Sequence, residues 1–208
     1  MRYPGSNRIC RDPGGSTGGV VGQLCSGPEC DHGRVGAQDL TTNRLRLDGP
    51  VPGDVAGVFA ILGDSQTVVH NPSDLLTHEV DASELVARWI CHWDEHGLGY
   101  WCARARGSDR IIGYVGVKRM TVQDQSVLNL VCRLVPDAWR RGLATEAVEG
   151  VVSWVMAEKP SEVILARVRP ENLASQNVAV KAGLHRDVAL DDEGEDGLDW
   201  AYTNRELP

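Results

Sequence analysis

The stretch PDAWRRGLATEA, residues 136–147, joins a predicted buried strand to a predicted helix. Before it, Val127 to Val135 form a nearly continuous apolar run, which is typical of a central strand and which Pro136 cannot continue. After it, apolar residues recur at helical spacing over residues 143–157. A turn that leaves a strand and begins a helix presents unpaired backbone N–H groups at the positive end of the helix dipole. We therefore predict that this turn binds phosphate oxygens.

The side chains of the turn suit the same role. Gly142 and Ala144 are small enough to let the backbone approach a pyrophosphate, and Arg140 and Arg141 can add charge-assisted bonds. The alternative is that Gly142 is an ordinary turn residue and the two arginines are a solvated pair, which such a triplet in isolation would favour. The strand before it and the helix after it favour the phosphate-binding interpretation.

Strand and helix patterns alternate along the rest of the chain. Hydrophobic periodicity and the positions of Gly and Pro predict helices over residues 52–62, 81–96, 143–157 and 172–182. Strands are predicted over residues 42–47, 100–106, 110–120, 127–135, 163–168 and 198–204, with a further strand near Val188 and an acidic loop over residues 191–196. This order predicts a mixed α/β domain.

The composition excludes several classes of protein. The chain is 42% hydrophobic and 24% charged, and no apolar run is long enough for a membrane span. A net charge of −8 argues against a nucleic-acid partner and favours cationic partners such as amines. The six cysteines lack the spacing of a disulfide framework, which favours reduced thiols and a cytoplasmic location.

Residues 1–40 differ in composition from the rest. Nine of the 23 glycines lie within the first 38 residues, where no long apolar periodicity occurs. Such a segment buries too little surface to offset its ordering entropy, so we predict a disordered extension followed by a domain over residues 41–208.

No metal site is predicted. The spacing of Cys25, Cys30 and His32 matches no closed zinc pattern, and His92 and His96 lack an identifiable third ligand.

Two blocks of the sequence resemble the GNAT superfamily of N-acetyltransferases. The block at residues 136–147 resembles its coenzyme A loop, and most of all that of the ribosomal-protein N-acetyltransferase (RimJ/RimL-like) branch, where a Trp commonly opens the turn. The block PENLAS at residues 170–175, followed by Val178, Lys181, Ala182 and Gly183, is similar to that branch's segment beside the pantetheine arm. The resemblance covers about residues 41–206, about four fifths of the chain.

The resemblance implies a fold and a binding site. The fold is a mixed, mostly antiparallel central sheet, flanked by helices and splayed between the fourth and fifth predicted strands, Val127–Val135 and Val163–Val168. The acyl-pantetheine arm would enter the splay, and acetyl-CoA would be the cosubstrate. The implied coenzyme contacts are Leu134, Val135, Arg140, Arg141, Gly142, Leu143, Ala144, Thr145, Asn172 and Ser175.

Two of these residues have further interpretations. Asn172 suits the N-cap of the following helix, a role compatible with a coenzyme contact. Ser175 is implied as the catalytic residue that hydrogen-bonds the departing thiolate, and the alternative is a solvated serine.

The implied reaction is direct attack of a neutral primary amine, on a small molecule or a protein N-terminus, on the acetyl thioester. The amine must lose a proton and the thiolate needs stabilisation. The sequence does not identify the acceptor, and it leaves a homodimer open.

The chain departs from its relatives at two catalytic positions. Ala179 stands where many GNAT proteins place a general-acid Tyr, and Asn129 stands where the closer branch often places a Glu. The general base is therefore unassigned, with a water chain or one of several acidic and histidine residues as candidates, each also suited to a solvated or capping role: His70, His78, Glu79, Asp81 and Glu84.

Other interpretations stay open at this point. A regulatory or catalytically degenerate module would bind acyl-CoA without turnover. A nucleotide-binding α/β protein of another class uses the same turn physics, although the spacing of a Walker motif is absent. Trp89, Trp93 and Trp101 suit core packing better than an acceptor pocket.

Overall fold

An eight-stranded sheet organises residues 37–207, the part of the chain that the computed structural model describes. The strands are β1 (Leu40–Thr41), β2 (Leu45–Asp48), β3 (Tyr100–Ala105), β4 (Ile111–Val122), β5 (Gln125–Leu134), β6 (Ile164–Val168), β7 (His185–Gly194) and β8 (Gly197–Thr203). The helices are α1 (Val55–Leu62), α2 (Glu79–His96), α3 (Leu143–Glu158) and α4 (Leu173–Lys181). The spatial order is β1-β2-β3-β4-β5-β6-β8-β7, and every neighbouring pair is antiparallel except β5 with β6. The predicted mixed, mostly antiparallel α/β fold is confirmed.

Local sequence explains where the elements end. The left-handed conformation of Gly97, with φ of 61°, stops α2. Gln123 and Asp124 both have positive φ, 47° and 62°, in the two-residue turn between β4 and β5. Such a turn matches the twist of an antiparallel hairpin and fixes its register.

The two faces of the sheet carry different helices. Tyr100 of β3 and Tyr114 of β4 pack against Trp89 of α2, with ring centroids 5.3 and 4.9 Å away. Trp101, the next residue along β3, points to the other face and contacts Trp154 of α3 at 5.2 Å. We call these the α2 face and the α3 face, and α4 lies beside α3. Trp89, Trp93 and Trp101 are all buried in the main core, as the core-packing interpretation predicts.

Two predictions about element boundaries need correction. Residues 42–44 form a turn rather than a strand, because the Thr42 hydroxyl accepts the N–H of Leu45 at 3.1 Å. Residues 191–194 belong to β7 rather than to an acidic loop. Asp191 accepts the N–H of Ala201 at 3.0 Å and so replaces a ladder bond where β7 bulges.

Residues just before the predicted domain start at residue 41 also contact the core. Ala37 and Leu40 pack against the core, and the Gln38 carbonyl accepts the indole N–H of Trp101 at 2.7 Å. The predicted disordered extension otherwise falls on residues 1–36, outside the described residues. Within residues 37–207, no helix has the length and apolar character needed to cross a membrane.

A buried ion pair anchors α1 to the α2 face. The guanidinium of Arg104 donates to Asp54, which precedes α1, and to Asp48 at 2.9 Å. The side chains of Arg104 and Asp54 are 10% and 5% exposed. Asp54 also accepts the N–H of Val51 at 2.9 Å, so its carboxylate caps the short helical turn at residues 52–54 that leads into α1.

We expect Asp54→Ala to lower the free energy of unfolding by about 2–4 kcal/mol, because it leaves a buried guanidinium with Asp48 as its only carboxylate partner, beside the backbone carbonyl of Asp109. Urea denaturation monitored by Trp fluorescence measures the change. The control is Asp109→Ala, since Asp109 is 98% exposed and pairs with Arg46 at the surface; its effect should stay below about 0.5 kcal/mol. Equal effects of the two substitutions would contradict this account.

Candidate functional site

A gap opens between β5 and β6. The two strands pair only where Leu128–Leu130 face Ile164–Ala166, although β5 continues to Leu134 and β6 to Val168. Beyond these three pairs, β6 stays paired with β8 and β5 with β4, so the two halves of the sheet diverge. The predicted splay is present at the predicted strands, which are the fifth and sixth because β1 was not expected.

The register decides which backbone groups face the gap. The N–H of Val135 donates to Ile112 at 2.9 Å. The next pair, Gly113 of β4 with Leu134 of β5, is therefore a non-hydrogen-bonded pair, and the N–H and C=O groups of Leu134 point away from β4. The same alternation turns the backbone groups of Leu134 and Cys132 towards the gap. The Leu134 carbonyl already accepts the indole N–H of Trp139 at 2.7 Å, which leaves its N–H to the gap.

Val135 does not suit the contact that was predicted for it. Its N–H bonds Ile112 and its carbonyl accepts the N–H of Ala138 at 3.0 Å, so both groups are used within the chain. Cys132 takes its place at the edge of the gap. The sequence alone did not show this, because the direction of a backbone group depends on the register of the strand beside it.

The turn after β5 presents open donors. The first helical N–H to find its acceptor is that of Glu146, which bonds the Gly142 carbonyl at 3.1 Å. Gly142 is the N-cap and has no side chain to offer, so within residues 37–207 the N–H groups of Leu143, Ala144 and Thr145 have no acceptor at the positive end of α3.

Backbone conformation explains the glycine. Gly142 has φ of 73°, and Arg140 also has a positive φ of 57°, while Arg141 between them does not. Alternation of this kind gathers successive N–H groups into a concave anion-binding nest. A Cβ on Gly142 would meet only a guanidinium nitrogen of Arg44, at 3.5 Å, so the left-handed backbone rather than a lack of space requires glycine.

Arg140 and Arg141 are both exposed. Within residues 37–207 neither guanidinium has a hydrogen-bond or ion-pair partner. The turn therefore offers two uncompensated positive charges next to its open N–H groups.

A carboxylate braces the turn from behind. Glu146 accepts the Thr42 hydroxyl, the Arg44 N–H and the Arg44 Nε, each at 2.6 Å. Arg44 also donates to the Arg141 carbonyl at 2.8 Å. Burial alone would raise the pKa of Glu146, but the bonds from Thr42 and Arg44 outweigh it and hold that pKa below its ordinary value.

The second block lies at the start of α4. The Asn172 side chain accepts the N–H of Ser175 at 3.1 Å, so its capping role is present in the structure. Ser175 is half-buried in the first turn of α4. Ala179 is 3% exposed and packs in the main core, so the position where relatives place a Tyr is here occupied by core packing.

The segment between α1 and α2 crosses the gap on the α2 face. On the β5 side, Asp74 accepts Arg133 at 2.7 Å. On the β8 side, Ser73 donates its N–H and hydroxyl to Asp196, at 3.1 and 2.6 Å, and the His70 carbonyl accepts Arg169 at 3.1 Å. We call residues 70–74 the roof of the gap.

Polar side chains lie beneath the roof. Tyr114 and Arg133 are neighbours across β4 and β5, and register places Arg167 of β6 on the same face. Burial raises the pKa of Tyr114 to about 12 and that of Tyr100 further, so both phenols stay protonated at neutral pH. Burial also raises the pKa of Asp199, against the opposing charge of Arg169.

The candidate bases lie at varied distances from this space. His70 is in the roof, with its Nδ1 3.9 Å from Glu171. His78 is the N-cap residue of α2, Glu79 and Asp81 lie in its first turn, and Glu84 pairs with Arg88 at 3.8 Å. His70 is thus the candidate that is tied to the end of β6, through the bond between its carbonyl and Arg169.

The rings of His92 and His96 contact each other edge to face, with centroids 4.4 Å apart. Burial lowers the pKa of His92 to about 4, so it is neutral near pH 7. No group of three or more His, Cys, Asp or Glu side chains that could hold a metal ion occurs in the described part of the chain.

Comparison with known proteins agrees with this geometry. The sequence profile of the acetyltransferase (GNAT) domain matches residues 44–185. The uncharacterized N-acetyltransferase YoaA of Bacillus subtilis (strain 168) is 22% identical over 151 residues, which cover 73% of this chain and 85% of YoaA.

Solved structures share the fold. A putative GNAT-family acetyltransferase from Bordetella pertussis superposes with a TM-score of 0.69 at 19% identity, over 81% of this chain and 99% of that protein. RimL, a ribosomal L7/L12 alpha-N-protein acetyltransferase in complex with coenzyme A, gives a TM-score of 0.67 at 10% identity, over 80% and 97%.

The splayed sheet, the open turn and the profile match together define an acyl-CoA-dependent N-acetyltransferase. This chain belongs to the GNAT acetyltransferase family. The resemblance of its two sequence blocks to that superfamily is confirmed.

We expect Glu146→Ala to loosen the turn, because Thr42 and Arg44 lose their shared acceptor. The free energy of unfolding should fall by about 1–2 kcal/mol, and hydrogen exchange of the amides of residues 140–145 should quicken. Because the pKa of Glu146 is lowered in the fold, its stabilisation is complete above the ordinary Glu value and is lost as the pH falls through the lowered one.

The matched control is Glu149→Ala, an exposed carboxylate on the same helix. Faster exchange of the turn amides in both variants, or in neither, would show that the brace does not hold the turn.

Proposed function

We propose that this chain transfers the acetyl group of acetyl-CoA to a primary amine of a small molecule or a protein N-terminus, by direct attack of the amine on the thioester. The observation that carries the proposal is the gap between β5 and β6, which has open backbone groups on its edge and adjoins a turn with open N–H donors. A molecule with a pyrophosphate at one end and an amide-containing arm fits both features.

The pyrophosphate would occupy the turn. Its oxygens would accept the N–H groups of Leu143, Ala144 and Thr145, and the two free guanidiniums of Arg140 and Arg141 would neutralise its charge. The Glu146 brace holds this turn before any ligand arrives, so little ordering is needed on binding.

The pantetheine arm would lie along the edge of β5. The N–H of Leu134 and the backbone groups of Cys132 have no strand beside them, so the amides of the arm can pair with them like an added strand. Asn172 and Ser175 at the start of α4 would contact the arm from the β6 side.

The amine would approach from beneath the roof, on the α2 face. Its nitrogen forms a bond to the acetyl carbon, the carbon–sulfur bond breaks, and the nitrogen loses a proton to a base or to water. The Ser175 hydroxyl would donate to the departing thiolate, which then takes up a proton. Asn129 cannot act as a base. We propose that His70 in the roof, or a water chain, accepts the proton of the attacking amine.

The RimJ/RimL-like branch is the part of the family we favour. Trp139 opens the turn, as is common in that branch, and its indole bonds the Leu134 carbonyl beside the gap. A cytoplasmic location goes with this proposal, since the Cys102 and Cys132 thiols are reduced.

The first test is release of free thiol from acetyl-CoA across a panel of primary amines, N-terminal peptides and aminoglycosides. Coenzyme binding is measured in parallel by calorimetry. We expect Arg141→Glu and Gly142→Glu to weaken acetyl-CoA binding by about a hundredfold or more, because each puts a carboxylate beside the pyrophosphate.

The charge control is Arg88→Glu, which makes the same change on the exposed side of α2. If the wild-type protein does not bind acetyl-CoA, the assignment of the turn is wrong. Tight binding without turnover on any amine would instead favour a regulatory or degenerate module, for which the buried Ala179 is a reason.

A second test concerns Ser175. Ser175→Ala should lower kcat by about tenfold and leave the KM for acetyl-CoA nearly unchanged, since the hydroxyl acts on the thiolate as it leaves. The control is Ser153→Ala, an exposed serine on α3. A kcat equal to that of the wild type would show that Ser175 is a solvated serine and that solvent protonates the thiolate.

A further inference from the structure

The guanidinium of Arg133 is incompletely bonded. Its side chain is 11% exposed, and Nη2 donates to Asp74 at 2.7 Å. Nη1 is buried and has no hydrogen-bond partner in the described residues. A buried charged donor without an acceptor is costly, and a guanidinium can hold a carboxylate through two parallel bonds where Asp74 takes only one.

A second guanidinium lies across the gap on the same face. Arg167 of β6 follows Leu165, which faces Asn129 of β5 in the parallel register, so its side chain projects on the α2 face as that of Arg133 does. Arg167 is exposed, and none of residues 37–207 forms a hydrogen bond or ion pair with it. The positive charge of Arg167 acts to lower the pKa of Tyr100 and of Asp199, which lie on the same face of the sheet, although burial raises both.

The two arginines flank the place where chemistry would occur. Arg133 belongs to the unpaired end of β5 and Arg167 to the diverging end of β6. The roof bonds Arg133 through Asp74, and it bonds Arg169, two residues after Arg167, through the His70 carbonyl. An amine that attacks a thioester held in the gap must therefore place its neighbouring groups between these two guanidiniums.

We propose that the acceptor carries an anionic group, a carboxylate or a phosphate, close to its amine, and that Arg133 and Arg167 hold this group. The inference rests on the proposed function and adds the substrate class. Arg133 Nη1 supplies a preformed donor, and Arg167 closes on the anion from the solvent side. The roof has to yield at the bond between Asp74 and Arg133 for the anion to reach Nη1, because that nitrogen is covered in this state.

Recognition of this kind has to be local. The chain as a whole carries a charge of −8, which repels an anion at long range. The buried guanidinium of Arg133 can overcome that repulsion at short range, because charge–charge attraction is weakly screened there, and the exposed Arg167 adds a second positive charge.

The test compares acceptors that differ only in the anionic group. Glycine is paired with glycinamide, and O-phosphoethanolamine with ethanolamine, with rates of acetyl-CoA-dependent thiol release corrected for the fraction of neutral amine. We expect the anionic member of at least one pair to have a KM about tenfold lower or better. The pair that shows the difference identifies the group as carboxylate or phosphate.

Two variants attribute the preference to the arginines. Arg167→Met alters an exposed side chain, and Arg133→Lys keeps the charge while removing the Nη1 donor. Each should raise the KM for the anionic acceptor about tenfold, with little change in kcat or in acetyl-CoA binding. The control is Arg119→Met, an arginine of β4 on the opposite face of the sheet, which should leave the KM unchanged.

The outcomes separate this inference from the proposed function. Turnover with equal or better use of the neutral acceptors, or an unaltered KM in Arg167→Met, would overturn the anionic acceptor alone. Binding of acetyl-CoA without turnover on either member of any pair or on the wider amine panel would overturn the transferase proposal, and this inference with it.

Discussion

The three-residue limit on pairing between β5 and β6 is the constraint on which the rest of this site depends. Backbone N–H and C=O groups inside a protein need partners, and an interior strand that loses its neighbour must find others. The chain supplies one of them itself, through the Trp139 indole on the Leu134 carbonyl, and leaves the N–H of Leu134 and the groups of Cys132 facing the gap. What the sheet leaves unpaired is therefore what a ligand can use.

The turn that follows shows how a weakly favoured backbone is kept in place. A positive φ at Arg140 costs free energy that a glycine would not incur, and the turn also gathers like charges. Glu146 offsets both by holding Thr42 and Arg44 behind the turn, where Arg44 in turn bonds the Arg141 carbonyl. The anion-binding surface can thus point outward with its donors free, because its support comes entirely from the other side.

Sequence patterns predicted those features that depend on local chemistry. The order of strands and helices, the helix start at Gly142 and the cap at Asn172 all follow from residues close together in the chain. The partner of a backbone group depends on strand register, so Cys132 could not be chosen over Val135 in advance. The contact between Asp74 and Arg133 joins residues 59 positions apart, and no local pattern indicates it. The acidic run was predicted as a loop because its place in β7 depends on pairing with β8, including the bond from the Ala201 N–H to Asp191, and the run's own residues do not indicate this pairing.

The coenzyme side and the acceptor side of the gap consequently differ in how much of their binding chemistry other proteins with this fold would share. In the binding mode we propose, the coenzyme uses backbone donors and a helix end, which any sequence that keeps the splay and the glycine can provide. Recognition of the acceptor, as we propose it, would use side chains that the fold does not require, namely Arg133, Arg167 and the roof residue Asp74, which bonds Arg133. A family can therefore keep one acetyl donor while its amine acceptors vary. The amine acceptor of each member has to be inferred from the charges on its α2 face rather than from the fold.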